Sequence, residues 1–330
     1  MSAVKGLLLA AVVIVLAFVF AAAHWFDAAI NAQGPLPAQK LVYIPPGTAT
    51  GVMARALEKE DVIGSARAFR IEARLQGRIA PLKAGEYDIP AHISILDLVT
   101  LLQSGKTYQR KVTIPEGLTS PDIVRILDNE KALAGAIAPM PPEGSLLPNT
   151  YDFSYGDTRM SLIRRMQAAM KEEMAALWTK RAPNLPVTEQ QAVILASIVE
   201  KETGRASDRA RIAGVFYNRL KRGIPLQSDP TVIFALTQGQ DPLGRSLTAA
   251  DLKIKSPYNT YAVAGLPPGA ICNPGVAALE AALNPAQTDD FYFVANGSGG
   301  STFAKTLQQH KRDIDKWLRA RRAGEKQNKQ

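Results

Sequence analysis

Apolar residues run without interruption from Gly6 to Ala23, preceded by Lys5 and followed by Trp25 and Asp27. A helix of that length crosses the hydrocarbon core of a bilayer. The positive-inside rule puts the start of the chain in the cytoplasm and everything after Asp27 outside, on the strength of one lysine. Ala21-Ala22-Ala23 would also suit cleavage of a signal peptide, but the weakly basic start and the interfacial Trp25 favour a retained anchor. From Asn31 to Gln39 the chain is polar and broken by Pro and Gly, as a spacer would be.

Beyond the spacer a pattern repeats. Ile44-Pro45-Pro46-Gly47 leads into helical periodicity through Arg55, Leu57 and Glu60, and Ile114-Pro115-Glu116-Gly117 leads into the same periodicity through Arg125, Leu127 and Glu130. A weaker copy starts at Ile89-Pro90 and closes at Gly105. Strand-like segments fall at Phe69–Leu75 and Gly85–Ile89. The block from Leu41 to Lys106 therefore reads as a small βα module that resembles the LysM arrangement, with a plain helix-on-sheet spacer as the alternative. Gly135–Gly144 reads as a loop, and Met160–Arg181 as a scaffold helix ended by Pro183 and Pro186.

Thr188 followed by Gln191 is a capping box that starts a helix. Gly204 is expected to stop it. Ala192, Leu195, Ile198 and Val199 recur at helical spacing and define one apolar stripe, with Glu202 in its middle. Glu200 points about 160° away, towards Gln190, Ser197 and Lys201, and is expected to be solvated. A carboxyl on an apolar face loses hydration when ionised, so its pKa rises and it can act as a general acid near neutrality. Snorkelling or pairing with Arg205 or Lys201 is the alternative for Glu202.

A second helix ends at Gly223, with Ile212, Val215, Phe216 and Leu220 on its core face and Asn218 beside it. Gln227, Ser228 and Asp229 then precede Pro230, where Asp229 is expected to cap the next helix. Ser256–Tyr261 and Gly265–Gly275 are loops dense in Tyr, Asn, Pro and Gly, a composition suited to gripping sugars in an open cleft. Phe291–Ala295 and Ser301–Ala304 read as a hairpin, followed by a helix through Trp317 and a solvated tail.

The 330 residues are 46% hydrophobic, enough for a sizeable core and two or three domains. A net charge of +9 suits nucleic acid, an anionic membrane or an acidic polymer, but no nucleic-acid motif is present. The single cysteine, Cys272, excludes an intramolecular disulfide, and the scattered His24, His92 and His310 offer no H-E-x-x-H metal site. No metal or cofactor is expected.

The motifs A-S-I-V-E-K-E-T, F-Y-N-R-L, L-Q-S-D-P-T-V, Y-N-T-Y, G-L-P-P-G-A-I-C-N-P-G and F-Y-F-V-A-N-G fall in the order found in the MltG (YceG-like) family of endolytic murein transglycosylases. The chain resembles that family most specifically over about residues 190–317, and the anchor, the LysM-like module and the E-G-S-L-L-P-N-T-Y loop extend the likeness. Asn149 stands where the family usually has Asp and Ser228 where Thr is common, and neither difference is expected to touch the central glutamate.

The resemblance implies an α+β fold divided into an anchor (residues 1–25), a LysM-like module (40–107), a connecting αβ subdomain (108–187), a catalytic domain (188–322) and a flexible tail (323–330). It makes Glu202 catalytic and assigns substrate contacts to Asn218, Gln227, Ser228, Asp229, Tyr258, Asn259, Thr260, Tyr261 and Asn273. The implied reaction cuts between N-acetylmuramic acid and N-acetylglucosamine without water, leaving a 1,6-anhydro end and ending nascent glycan strands. One carboxyl serves as acid and then base, whereas ordinary glycosidases use two. The absence of a second acid on the Glu202 face favours this route. The implied partners are peptidoglycan, the bilayer and cell-wall synthesis enzymes, with the body on the periplasmic side of the inner membrane. A hydrolytic muramidase pairing Glu202 with Asp229 or Glu200, and a non-enzymatic glycan-binding scaffold, are the rival readings.

Overall fold

The computed structural model describes residues 2–327, and the architecture is mixed α+β with three two-stranded sheets. The chain divides into two compact units. The first runs up to Arg110 and includes Asp152–Tyr155; the second holds Lys111–Tyr151 and everything from Gly156 onward.

The first unit begins with helix α1 (Ser2–Asn31), long and apolar enough to cross a membrane. Its apolar side chains from Leu7 to Phe20 are exposed. The end of the same helix enters a protein core, where Ile30 is buried and Phe26 and Ala29 pack alongside. The segment after it is no loose spacer. Leu36 is only 3% exposed, the Gly34 amide donates to His92 and Ile93 carbonyls, and a Cβ at Gly34 would collide with the Ile93 and Val62 carbonyls. Close backbone approach, which only glycine permits, explains a residue that the sequence offers as a linker signal.

Strand β1 (Lys40–Ile44), helices α2 (Thr50–Lys59) and α3 (Ala66–Gln76), and strand β2 (Gly85–Ile89) form a β-α-α-β unit. The strands pair antiparallel, with Val42 opposite Tyr87. Helix α4 (Ile95–Ser104) completes it, capped by Ser94 and ended by Gly105 in the left-handed conformation. The core gathers Ile44, Leu57, Phe69, Tyr87, Leu98 and Leu102. The strand expected at Phe69–Leu75 is helix α3. Ser65 caps it, and Ala66, Phe69, Glu72 and Ala73 are buried at helical spacing, while Ile71 and Leu75 point outward. The alternation Phe69, Ile71, Ala73, Leu75 mimics a strand because arginines and a glutamate happen to fill the gaps.

In the order of the chain, strand β3 (Arg110–Thr113), helix α5 (Ser120–Asn129) and strand β4 (Thr150–Phe153) follow; β3 pairs with β4, and the division between units falls within these strands. The second unit is mainly helical: α6 (Arg159–Thr179), α7 (Glu189–Glu202), α8 (Ala206–Lys221), α9 (Asp229–Thr237), α10 (Val276–Leu283) and α11 (Leu307–Gln327). Strands β5 (Tyr292–Ala295) and β6 (Ser301–Ala304) make the expected hairpin, with Phe293 opposite Phe303. Helix α11 continues through residues 323–327 of the expected tail, and residues 328–330 lie outside the described residues.

Helix α7 is the centre of the second core. Its capping box is formed: the Thr188 backbone N–H donates to the Gln191 side-chain oxygen at 2.9 Å and the Gln191 backbone N–H to the Thr188 hydroxyl at 3.3 Å. Ala192, Leu195, Ile198 and Val199 are buried as expected, against Ile212, Phe216, Leu279 and Leu283. Ile194, Ala196 and Ser197 are buried too, so the helix is enclosed rather than amphipathic. It ends by extension at Thr203 (φ −152°), and Gly204 does not take the left-handed conformation that a glycine stop would use.

Candidate active site

Enclosure of α7 changes the reading of Glu200, one of the two acids on its last turn. Glu200 is not solvated: its side chain is 7% exposed, it accepts from the Gly275 amide at 3.0 Å, and Arg209 lies 3.9 Å away. The loop Gly265–Gly275 docks on the same helix, since the Ile271 amide donates to the Ser197 hydroxyl at 3.0 Å and Ala270, Ile271, Cys272 and Asn273 are buried. Loss of solvent raises the Glu200 pKa, and the Gly275 bond opposes that rise.

Glu202 is surrounded by protein on nearly all sides and keeps a part of its surface open. Burial pushes its carboxyl up to about 7 from the ordinary 4.5; the Ser228 hydrogen bond opposes the rise, the Asp229 charge adds to it, and Arg219 opposes it. Its place at the C-terminal end of α7 acts in the same direction as burial, because the helix end is electronegative.

The Ser228 hydroxyl donates to Oε1 of Glu202 at 2.6 Å. Ser228, which was not expected to touch the central glutamate, therefore does so. Ser228 is fixed from the other side, its amide donating to the Thr260 hydroxyl at 3.0 Å, and Thr260 in turn shares a 2.8 Å bond with Thr231. All three are buried. Asp229 does not cap α9: Ser228 occupies the cap position and Asp229 the first helical residue. The Asp229 carboxylate instead accepts from the Tyr261 hydroxyl at 2.6 Å. Its charge reaches Glu202, so a second acid, carried by α9 and not by the α7 face, stands near the central one.

Gln227 is exposed, with left-handed backbone (φ 54°), and its amide donates to the Thr260 carbonyl at 3.0 Å. Its side-chain oxygen accepts from Arg219 at 3.2 Å. Arg219 is a participant that the sequence reading passed over. It is buried and donates to the Phe291, Pro225 and Leu226 carbonyls at 2.7, 3.1 and 2.8 Å, tying the extended segment before the site to the start of the hairpin. The signal was present, since Arg219 follows Phe216 by three residues and shares its buried face.

The other expected contacts are less central. Asn259 is fully buried, and its side chain donates to the Leu252 and Ile254 carbonyls at 3.0 and 2.9 Å. Asn218 donates to the Thr288 and Asp290 carbonyls at 2.7 and 3.0 Å. Asn273 is fully buried; it accepts from the Leu146 amide at 2.9 Å and donates to Leu118, Ser120 and Glu143. Tyr258 lines a separate open groove of about 510 Å³ with Glu143, Gln190, Val193 and Gly269. Burial pushes the Glu143 carboxyl up to about 7, opposed by donors from Ser120. Among the described residues no group of three or more His, Cys, Asp or Glu is placed to hold a metal ion.

The structure thus brings Glu202, Ser228, Asp229, Thr260, Tyr261, Gln227 and Arg219 together. An enclosed carboxyl with a pKa near neutrality can donate a proton and take one back. The model of the YceG-like family matches residues 42–316, and the chain belongs to that family. It is 31% identical over 308 residues to a Bacillus subtilis protein named endolytic murein transglycosylase, covering 84% of each chain. A Streptococcus pneumoniae protein of the same name is 32% identical over 322 residues, covering 83% of this chain and 57% of that protein. The crystal structure of a YceG-like protein from Listeria monocytogenes superposes with a TM-score of 0.52 at 32% identity, covering 84% of this chain and 99% of that one.

Proposed function

We propose that this member of the YceG-like family is a membrane-anchored endolytic lytic transglycosylase that cuts the glycan strands of peptidoglycan. The observation that carries the reading is the enclosed Glu202 carboxyl, with a pKa of about 7 and a 2.6 Å bond from Ser228. The activity named for the Bacillus and Streptococcus relatives supports the substrate class.

In the reaction, Glu202 protonates the oxygen between N-acetylmuramic acid and N-acetylglucosamine as the bond to the muramyl anomeric carbon breaks. The muramyl 6-hydroxyl then bonds to that carbon and its proton passes to the Glu202 carboxylate. The acid is restored, no water is consumed, and a 1,6-anhydro end remains. We assign glycan contacts to the accessible Gln227, Asp229, Tyr258 and Tyr261, and assign Asn218, Ser228, Asn259, Thr260 and Asn273 to holding the walls that present them. Helix α1 crosses the cytoplasmic membrane once, with the body on the periplasmic side. There, cleavage would end nascent strands beside cell-wall synthesis enzymes.

A hydrolytic muramidase with Asp229 as second carboxylate is the alternative, because the Asp229 charge acts on Glu202. Mass analysis of murein digested by the wild type and by Glu202→Gln tests both. Anhydro-muramyl ends that vanish in the variant are expected; reducing muramyl ends would establish hydrolysis, and cleavage that survives the substitution would remove Glu202 from the chemistry.

A further inference from the structure

Helix α3 carries a second face that the chemistry does not use. Its inward positions fill the core, and outward it presents Arg67, Arg70, Arg74 and, just past its end, Arg78, interleaved with Ile71, Leu75 and Ile79. The three apolar residues are 38%, 51% and 82% exposed. Large aliphatic side chains spaced between arginines, with no ion pair made by any of the four arginines among the described residues, are poorly suited to water alone. They suit an interface whose outer layer is anionic and whose inner layer is apolar.

The position of that face is fixed by α1. The Arg67 guanidinium lies over the Trp25 ring, 5.9 Å from its centroid. Trp25 lies two residues past the apolar run, where an indole settles at headgroup level. Ile30, five positions further along the same unbroken helix, is already in the core of the first unit. Five residues of helix advance about 7.5 Å, and a headgroup layer is roughly 5–8 Å thick. The core of this unit therefore begins where the headgroups end, without a flexible spacer between. Beside the arginines, the first turn of α2, which lacks a side-chain cap, closes a groove of about 860 Å³ lined by Thr50, Gly51, Arg67, Arg70 and Arg74. Uncapped helix N–H groups and guanidinium forks are both donors that match a phosphodiester.

We propose that the outward face of α3 lies on the bilayer, with Arg67, Arg70 and Arg74 holding the phosphates of anionic phospholipid headgroups and Leu75 and Ile79 inserted beneath them. The proposal rests on the reading of α1 as a retained membrane anchor. It turns the first unit from a tethered module into one held at a set height above the membrane.

The test uses the full chain carrying Ile79→Cys, since Cys272 is fully buried and leaves the new thiol as the accessible one. A fluorophore on that thiol is read in vesicles of phosphatidylcholine with phosphatidylglycerol and in vesicles of phosphatidylcholine alone, both containing the same fraction of a lipid with a nitroxide headgroup. Flotation of the chain with the vesicles is measured in parallel. Quenching at least about threefold stronger in the anionic vesicles is expected, falling to the zwitterionic level with Arg70→Glu and Arg74→Glu together and weakening in high salt. Flotation with equal quenching in both lipids overturns the docking but keeps the anchor. Quenching relieved by soluble glycan fragments rather than by salt means that the face binds glycan and overturns the proposal. Failure to float removes the anchor and the docking together.

Discussion

The Ser228 hydroxyl reaches the Glu202 carboxylate across 2.6 Å, and Ser228 is held there by the hydrogen bond from its backbone N–H to the Thr260 hydroxyl. A hydroxyl donating to a carboxylate favours the ionised form, so this bond restrains the rise that burial imposes. Ser228→Ala should let the Glu202 pKa rise further. The basic limb of the pH–rate profile should move up by about one unit, and the maximal rate should fall about tenfold as the ionised acid loses its donor. Ser228→Thr should restore both. An unchanged profile in the alanine variant would detach the hydroxyl from the chemistry.

Glu200 gives a different expectation from the one its place in the helical pattern suggests. It holds the Gly275 amide, and with it the end of the Gly265–Gly275 loop. Glu200→Ala should therefore cost about 1–3 kcal/mol of stability in chemical denaturation, by leaving that buried donor unpaired. Cleavage per folded molecule should largely persist, whereas Glu202→Gln should abolish cleavage and leave the fold intact. Equal loss of activity without loss of stability at Glu200 would contradict its structural role.

Asn273 sits in the motif that resembles a sugar-gripping loop, yet every polar atom of its amide faces protein. Asn273→Ala should lower stability by about 3 kcal/mol, since several buried partners lose their mate at once. Glycan affinity, measured on the remaining folded fraction at low temperature, should be close to wild type. A large loss of affinity with stability unchanged would return this residue to the substrate side.

What the sequence made legible was local. The capping box at Thr188, the hairpin, the apolar span of α1 and the burial of Glu202 follow from neighbours within a few residues, and each is found in place. The strand wrongly expected at Phe69–Leu75 shows the limit of that approach, because the same letters satisfy periods of 2 and 3.6, and only the core behind Phe69 selects between them. Glu200 was misplaced because a helical wheel assumes a broad solvated face, and from Ala192 to Glu202 only Lys201 of α7 is exposed. The meeting of Glu202 with Ser228 and Asp229, which begins another helix, depends on how α7 and α9 pack. No spacing along the chain encodes it. The same holds for Asn31–Gln39, where Gly34 allows close backbone approach and Leu36 is buried.

The raised Glu202 pKa also has a consequence for folding. The folded value of about 7 exceeds the ordinary 4.5, so the fold favours the protonated acid. Its stabilising share is complete below about pH 4.5 and is lost as pH rises through 7. Glu202→Gln removes this dependence. The stability of the variant minus that of the wild type should therefore grow between pH 4.5 and 7 and then level off, by up to about 3 kcal/mol. Denaturant titrations of both proteins at pH 5 and pH 8 measure it, and a difference that stays flat with pH would mean that Glu202 is not held protonated by the fold.

The last expectation separates one-carboxyl from two-carboxyl chemistry at this site. Protonated Glu202 is required for the first step, so activity should fall as pH rises through about 7. In the intramolecular route the attacking group is the muramyl hydroxyl, and the base that receives its proton is Glu202 itself, freshly ionised. No other carboxylate has to be charged, so no acidic limb from a partner acid is expected while the protein stays folded and binds substrate. Asp229→Asn should accordingly leave the shape of the profile on its acid side unchanged. It should also draw the basic limb slightly down, because the nearby Asp229 charge helps to raise the Glu202 pKa. In the hydrolytic route Asp229 must be ionised to activate water, which gives a bell. An acidic limb that disappears with Asp229→Asn, accompanied by reducing muramyl ends among the products, would assign this site to hydrolysis; anhydro ends with a one-sided profile assign it to transglycosylation.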